Sequence, residues 1–151
     1  MKIAFFDVSN VSGHKEIAKV VIRDRGTDSP VLQDQKALLF GISRNLLVLP
    51  VLVAKIDTSK YPNGFPAYAY GDYIYQGGYV FNISAETGII ERGRITHLNS
   101  TELLKSGYYF NSPYLVKRSL YISDVLCTIS DKMIKMNSLE TLAEMGKLQV
   151  P

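Results

Sequence analysis

Tryptophan is missing from this chain, cysteine occurs once and histidine twice, and neither sign of charge dominates. Each shortage removes a class of explanation. A lone Cys127 inside an apolar run cannot build a disulfide framework within the chain and packs as a small hydrophobe. His14 lies in a turn and His97 at a strand end. Neither has Cys, His or carboxylate neighbours at metal spacing, so both read as surface or structural residues. The formal net charge of +3 is scattered over 151 residues with no basic run, which argues against a nucleic-acid partner. No apolar stretch approaches the roughly 20 residues of a membrane helix, because residues 46–56 contain Pro50 and Lys55. The apolar part of residues 1–7 is too short for a secretory signal and reads as a strand already under way. No serine sits in a Gly-x-Ser-x-Gly elbow, the glycines of residues 71–78 lack the lysine of a phosphate loop, and heptads are absent.

What the chain does contain is repeated hairpins. Phe6-Asp7-Val8-Ser9 leads through Gly13 to residues 16–20, Phe81-Asn82-Ile83-Ser84 through Gly88 to residues 91–95, and Met136-Asn137-Ser138 through Thr141 to residues 144–148. A second set interleaves with these: residues 36–40 with 45–49 around Gly41 to Arg44, and residues 117–121 with 124–129 around Ser123-Asp124. Ten Tyr, six Phe and 46% apolar residues suit strands of a globular domain. Only residues 100–105 have the look of a helical turn.

Hairpins with one apolar face must stack to bury it. The order of the runs gives a hairpin followed by two four-stranded units, about ten strands. The expected fold is therefore all-β and β-propeller-like, an incomplete propeller of about two and a half four-stranded antiparallel blades. Residues 1–22 form the outer hairpin of a partial blade, residues 34–98 a full blade with an insertion at 57–75, and residues 115–150 a second full blade. Closed propellers use four to eight blades, so the chain reads as the end of something larger. Pro50 is awkward in a central strand and predicts a bulge or a strand end at Leu49.

Residues 23–27, 34–40, 45–51, 75–83 and 116–122, among them Arg23-Asp24-Arg25-Gly26-Thr27 and Tyr75-Gln76-Gly77-Gly78-Tyr79, carry a family resemblance. The chain resembles archaeal and bacterial secreted proteins with a C-terminal β-propeller domain distantly related to WD-40 repeats, and it matches the last part of that domain. Gln35 stands where members carry His, so no role tied to that His carries over. The resemblance implies a propeller fold and an extracellular or cell-surface location, and no reaction.

Three constellations are candidates for function. Asp24, Asp28 and Asp34 offer carboxylates on one segment that would suit Ca²⁺, although their spacing is not that of an EF-hand and is equally that of ordinary capped turns. Lys36 and Lys117, each at the start of an inner strand, together with Arg118 would present positive charge to an anionic ligand, or pair with acidic neighbours such as Asp34 and Asp124. The insertion at 57–75 gathers Tyr61, Tyr68, Tyr70, Tyr73 and Tyr75 with Pro62, Gly64 and Pro66. Such a surface suits a protein or carbohydrate ligand, or else folds back as a lid over a blade edge. Sequons at Asn10, Asn82 and Asn99 are compatible with export.

The resulting expectation is a non-enzymatic binding or scaffold segment acting through rim loops, with no cofactor other than a candidate Ca²⁺, and with self-association of two copies to close open blade edges. The alternatives are part of a propeller hydrolase or metal-dependent enzyme, and a truncated gene product without an independent role.

Overall fold

A computed structural model describes residues 1–99 and 111–151, so the helical turn expected at 100–105 lies outside the described residues. Ten strands build three antiparallel sheets among these residues. A hairpin of β1 (Lys2–Asp7) and β2 (Lys15–Val21) comes first. A four-stranded meander follows, of β3 (Leu39–Gly41), β4 (Leu46–Lys55), β5 (Asp72–Ser84) and β6 (Gly88–Ile95). A second meander comprises β7 (Arg118–Ile122), β8 (Val125–Ile129), β9 (Met133–Ser138) and β10 (Glu144–Gln149). This is the all-β, two-and-a-half-unit arrangement of a partial propeller.

Local chemistry turns the chain at each hairpin. Between β1 and β2, Asp7 Oδ1 accepts from the Ser9 N–H at 2.9 Å and Asn10 Oδ1 from the Ser12 N–H at 3.0 Å. Ser123, at φ 51°, supplies the left-handed residue of the tight β7–β8 turn, and Asn45, at φ 50°, ends the 3-10 turn of Ile42–Arg44 ahead of β4.

Stacking follows from alternation along β4 and β5. Leu47, Leu49, Val51 and Val53 with Tyr79, Phe81 and Ile83 face the hairpin and pack with Ile22, Ile3, Phe5 and Val20. Leu46, Val48 and Val80 face the other way and pack with Ile95, Leu126 and Leu139. The middle sheet is thus buried on both faces, which is why residues 46–54 read as one apolar run. Each fully buried aliphatic side chain contributes about 1.5–3 kcal/mol. Among the described residues no sheet covers the far face of the third, and Leu120, Ile122 and Leu148 are exposed on its strands.

Pro50 does not end or bulge the strand. β4 runs through it in register with Gly78, and the nearest bulge falls at Val53/Ala54. The Pro50 carbonyl accepts from Ser29 Oγ at 2.5 Å, and two residues on Leu52 exchanges backbone bonds with Asp28 at 2.8 and 2.9 Å. The side of Pro50 that lacks an N–H therefore faces residues 28–29, not β5, so no ladder bond with β5 is lost.

Gly77 allows the closest approach in the sheet. A Cβ there would strike the Ile95 carbonyl oxygen and lie 2.5 Å from the Tyr75 hydroxyl. Gly77→Ala is expected to cost about 1–3 kcal/mol, because the Ile95 backbone must move. Urea unfolding of the variant against the parent checks this, and an unchanged midpoint would contradict the packing described.

Candidate functional site

Two surfaces collect the residues singled out by sequence. The first is a cleft of about 400 Å³ between the two meanders, lined by Asp28, Asp34, Gln76, Val116, Lys117 and Arg118 among others. Short 3-10 turns at Pro30–Leu32 and Gln35–Ala37 form one wall, capped by Ser29 and Asp34. The opposite wall is the chain entering β7. Gln76, only 3% exposed, spans the base: its Nε2 donates to the Val116 carbonyl at 2.8 Å and its Oε1 accepts the Val116 N–H at 2.9 Å. A side-chain amide here replaces a strand partner for Val116.

The cations lining the cleft are matched. Arg118 Nη2 pairs with Asp34 Oδ2 at 3.1 Å, and Lys117 Nζ with Asp131 Oδ2 at 2.6 Å. Lys36 is not at the start of a strand as expected but in the 3-10 turn Gln35–Ala37, where its N–H is held by Asp34 Oδ1. It is exposed beside the cleft, so Lys36 and Lys117 do not occupy equivalent places. Asp124 pairs with Arg44 at 2.8 Å rather than with Lys117. Arg118–Asp34 and Arg44–Asp124 thus join the two units, whereas Lys117 pairs within its own unit with Asp131, the partner that sequence order did not suggest.

The three aspartates do not converge on a cation. Asp24 Oδ2 accepts the Ile56 N–H at 2.7 Å, Asp28 Oδ1 the Ser29 N–H at 2.8 Å, and Asp34 the Lys36 N–H. Among the described residues no group of three His, Cys, Asp or Glu comes together in a metal-holding set. Asp28 and Asp34 cap their own turns, and Asp24 ties its segment to the end of β4.

The second surface is the tyrosine segment. Its loop ends at Gly71, so Tyr73 and Tyr75 belong to strand β5 and not to the loop. Tyr75 is half-buried and edge-on to Tyr79 at 5.8 Å, with the Arg94 guanidinium 4.4 Å from the Tyr79 ring centre. Burial pushes the Tyr75 phenol well above the ordinary tyrosine range. Tyr61 packs edge-on against Phe65 at 6.5 Å. Tyr68 and Tyr70 are 76% and 56% exposed. Arg25 braces the loop, with Nη1 donating to the Ala67 carbonyl at 2.9 Å, its carbonyl accepting the Gly71 N–H at 2.9 Å and its guanidinium 4.6 Å from the Tyr70 ring.

His97 is structural and buried, and it ties the two meanders together. Its Nδ1 lies 2.9 Å from Ser130 Oγ and its Nε2 2.8 Å from Thr128 Oγ1. Ser130 Oγ already donates to the Met133 carbonyl, so Nδ1 carries the proton and Nε2 accepts from Thr128. Arg92 Nη2 adds bonds to the Leu139 and Glu140 carbonyls at 2.6 and 2.8 Å. Gln76 and Arg92 were missed by sequence reasoning. A glutamine directly before Gly77-Gly78 in an apolar strand was the available signal for the first. Of the sequons, Asn10 is exposed in a turn, whereas Asn82 lies within β5.

Repeated four-stranded meanders stacked face to face and joined by polar ties agree with a family match, since the model of a family described as a beta propeller domain matches residues 1–142. The chain belongs to the beta propeller domain family. No curated protein and no solved structure matches it. In propeller terms, the cleft lies between the inner strands of successive blades, and the tyrosine loop joins the two central strands of the middle blade.

Burial, with Lys135 nearby, lowers the His97 pKa from 6.5 to about 4. The unfolded chain then binds the proton first. Stability contributed by neutral His97 is full above pH 6.5, declines as pH falls toward 4, and changes no further below that. The melting temperature of the propeller minus that of His97→Gln is expected to fall across this window. A difference that stays flat from pH 7 to 4 would contradict it.

Proposed function

We propose that this propeller segment binds and scaffolds without catalysing a reaction, and that the loop of residues 57–71 is its binding surface for a protein or carbohydrate ligand. One observation carries the reading: Phe65, Tyr68 and Tyr70 are exposed on a loop whose backbone is held by Arg25 at Ala67 and Gly71. Rings held in place lose little freedom when a ligand stacks on them, and each offers apolar area with a polar tip. The paired charges of the cleft add a neighbouring surface that exchanges partners without leaving a buried ion bare.

A hydrolase reading would have to use His97 and one of the two hydroxyls in contact with it, such as Ser130. Both are buried, and both are committed to bonds between blades, which weighs against it. The resemblance to secreted propeller proteins supports a site of action outside the cell. Exposed Leu120, Ile122 and Leu148 support self-association through the open face of the last blade.

Screening the protein on glycan and peptide arrays, then repeating the hits with Tyr68→Ala/Tyr70→Ala, tests the proposal. The double variant is expected to lose binding at least about tenfold while keeping its unfolding midpoint, since both rings are largely solvent-facing. Hits that survive the substitutions at full strength, or arrays without hits, would overturn the loop as the binding surface.

A further inference from the structure

The cleft of about 400 Å³ between the middle and last blades has a largely apolar wall. Pro30, Ala37 and Leu52 come from the middle blade and the turns before it, Leu115 and Val116 from the chain entering the last blade. Four charged side chains share that wall, namely Asp28, Asp34, Lys117 and Arg118. Both cations are already paired, Arg118 with Asp34 at 3.1 Å and Lys117 with Asp131 at 2.6 Å. Lys36 is exposed beside the cleft, outside its lining.

That leaves one anion over. Asp28 is half-buried, and its Oδ1 accepts only the Ser29 N–H at 2.8 Å. Among the described residues no cation pairs with it, and its Oδ2 accepts no hydrogen bond. Its place is fixed from behind. The Asp28 N–H and C=O are both bonded to Leu52, at 2.9 and 2.8 Å, and the buried Ser29 that follows donates its Oγ–H to the Pro50 carbonyl.

A carboxylate held beside apolar side chains has lost part of its hydration, and a cation seated against it restores what was lost. Other ligand charges fare worse. An anion would meet Asp28 directly and would have to draw Arg118 or Lys117 out of its pair. A neutral apolar group would strip water from Asp28 and return nothing.

We propose that this cleft takes a basic side chain, Lys or Arg, from an exposed segment of a protein partner. The aliphatic stem lies along the apolar wall and the charged head sits on Asp28 Oδ2. The ion pairs at the mouth are about half exposed, so the partner's backbone stays outside, beside groups that can exchange bonds with it. This site is separate from the tyrosine loop, and its test is independent of that surface.

The test titrates the protein with Nα-acetyl-lysine methylamide and follows the amide chemical shifts. Saturable shifts at Asp28, Ser29 and Val116 are expected at millimolar ligand. The norleucine analogue keeps the stem without the head and is expected to bind at least about tenfold more weakly. Asp28→Asn is expected to weaken the lysine probe by the same factor with an unchanged unfolding midpoint, because the amide retains an oxygen for the Ser29 N–H. Added salt should weaken the lysine probe and leave norleucine unaffected. The lysine–norleucine comparison in the parent protein serves alone if Asp28→Asn does not fold. No saturable binding, equal binding of norleucine, or full affinity in folded Asp28→Asn would overturn the proposal. So would saturable shifts of the same amides by Nα-acetyl-glutamate methylamide, since the cleft would then hold anions. Pentylamine binding more tightly than the blocked lysine would overturn a peptide as the source of the cation.

Discussion

Strand β4 has to satisfy a neighbour on each face, and the rest of the structure depends on that requirement. Its odd-numbered residues from Leu47 to Val53 meet the hairpin, and Leu46 and Val48 meet the last blade. A strand in that position cannot alternate apolar with polar residues, so it spends nine consecutive positions on core or near-core side chains. Its partner strand answers with Gly77 where the Ile95 backbone crowds, with Gly78 against the Thr128 side chain, and with Tyr79 and Phe81 where volume is needed toward the hairpin. Pro50 fits because only one side of the strand requires a donor there.

The two blade interfaces are held by different physics. Against the hairpin the contact is a cluster of aliphatic and aromatic side chains, strong but without direction. Against the last blade, a smaller apolar cluster is joined by Gln76 on Val116, His97 between Thr128 and Ser130, and Arg92 on two carbonyls. Those bonds are directional and mostly sheltered, so they set the register of one blade on the next. The outer ion pairs of Arg118 with Asp34 and Arg44 with Asp124 are exposed and contribute little stability on their own. The geometry of the cleft therefore follows from Gln76 and its neighbours rather than from the charges at its mouth.

Hairpins were legible in the sequence because their turns are written in local chemistry. Asp7, Asn10 and Ser84 bond to backbone or side chains within three residues, so nothing distant is needed to place them. The blade count followed from those turns. Errors arose where local and distant demands compete. Lys36 reads as a strand residue by its apolar neighbours, yet the Asp34 side chain draws its N–H into a 3-10 turn. Tyr73 and Tyr75 read as loop because Pro62, Gly64 and Pro66 precede them, yet pairing with Ala54 and Val53 extends β5 back to Asp72. The ties between blades were the least legible, since Gln76 reaches a backbone 40 residues away and no local pattern encodes that partner.

The sheets differ in how their edges are charged. The outermost strands carry charge along their length: Lys15, Glu16 and Lys19 on β2, Glu91, Arg92 and Arg94 on β6, and Glu144 and Lys147 on β10. Charged side chains on an edge oppose pairing with another chain. The inward edge of the last blade begins with Lys117 and Arg118, which are engaged in ion pairs. Along β1, Ile3, Ala4, Phe5 and Phe6 lie between Lys2 and Asp7, and an apolar groove lies alongside. The inward edge of the middle blade, β3, carries no charge, so charge runs along the outer edges far more than along the inner ones.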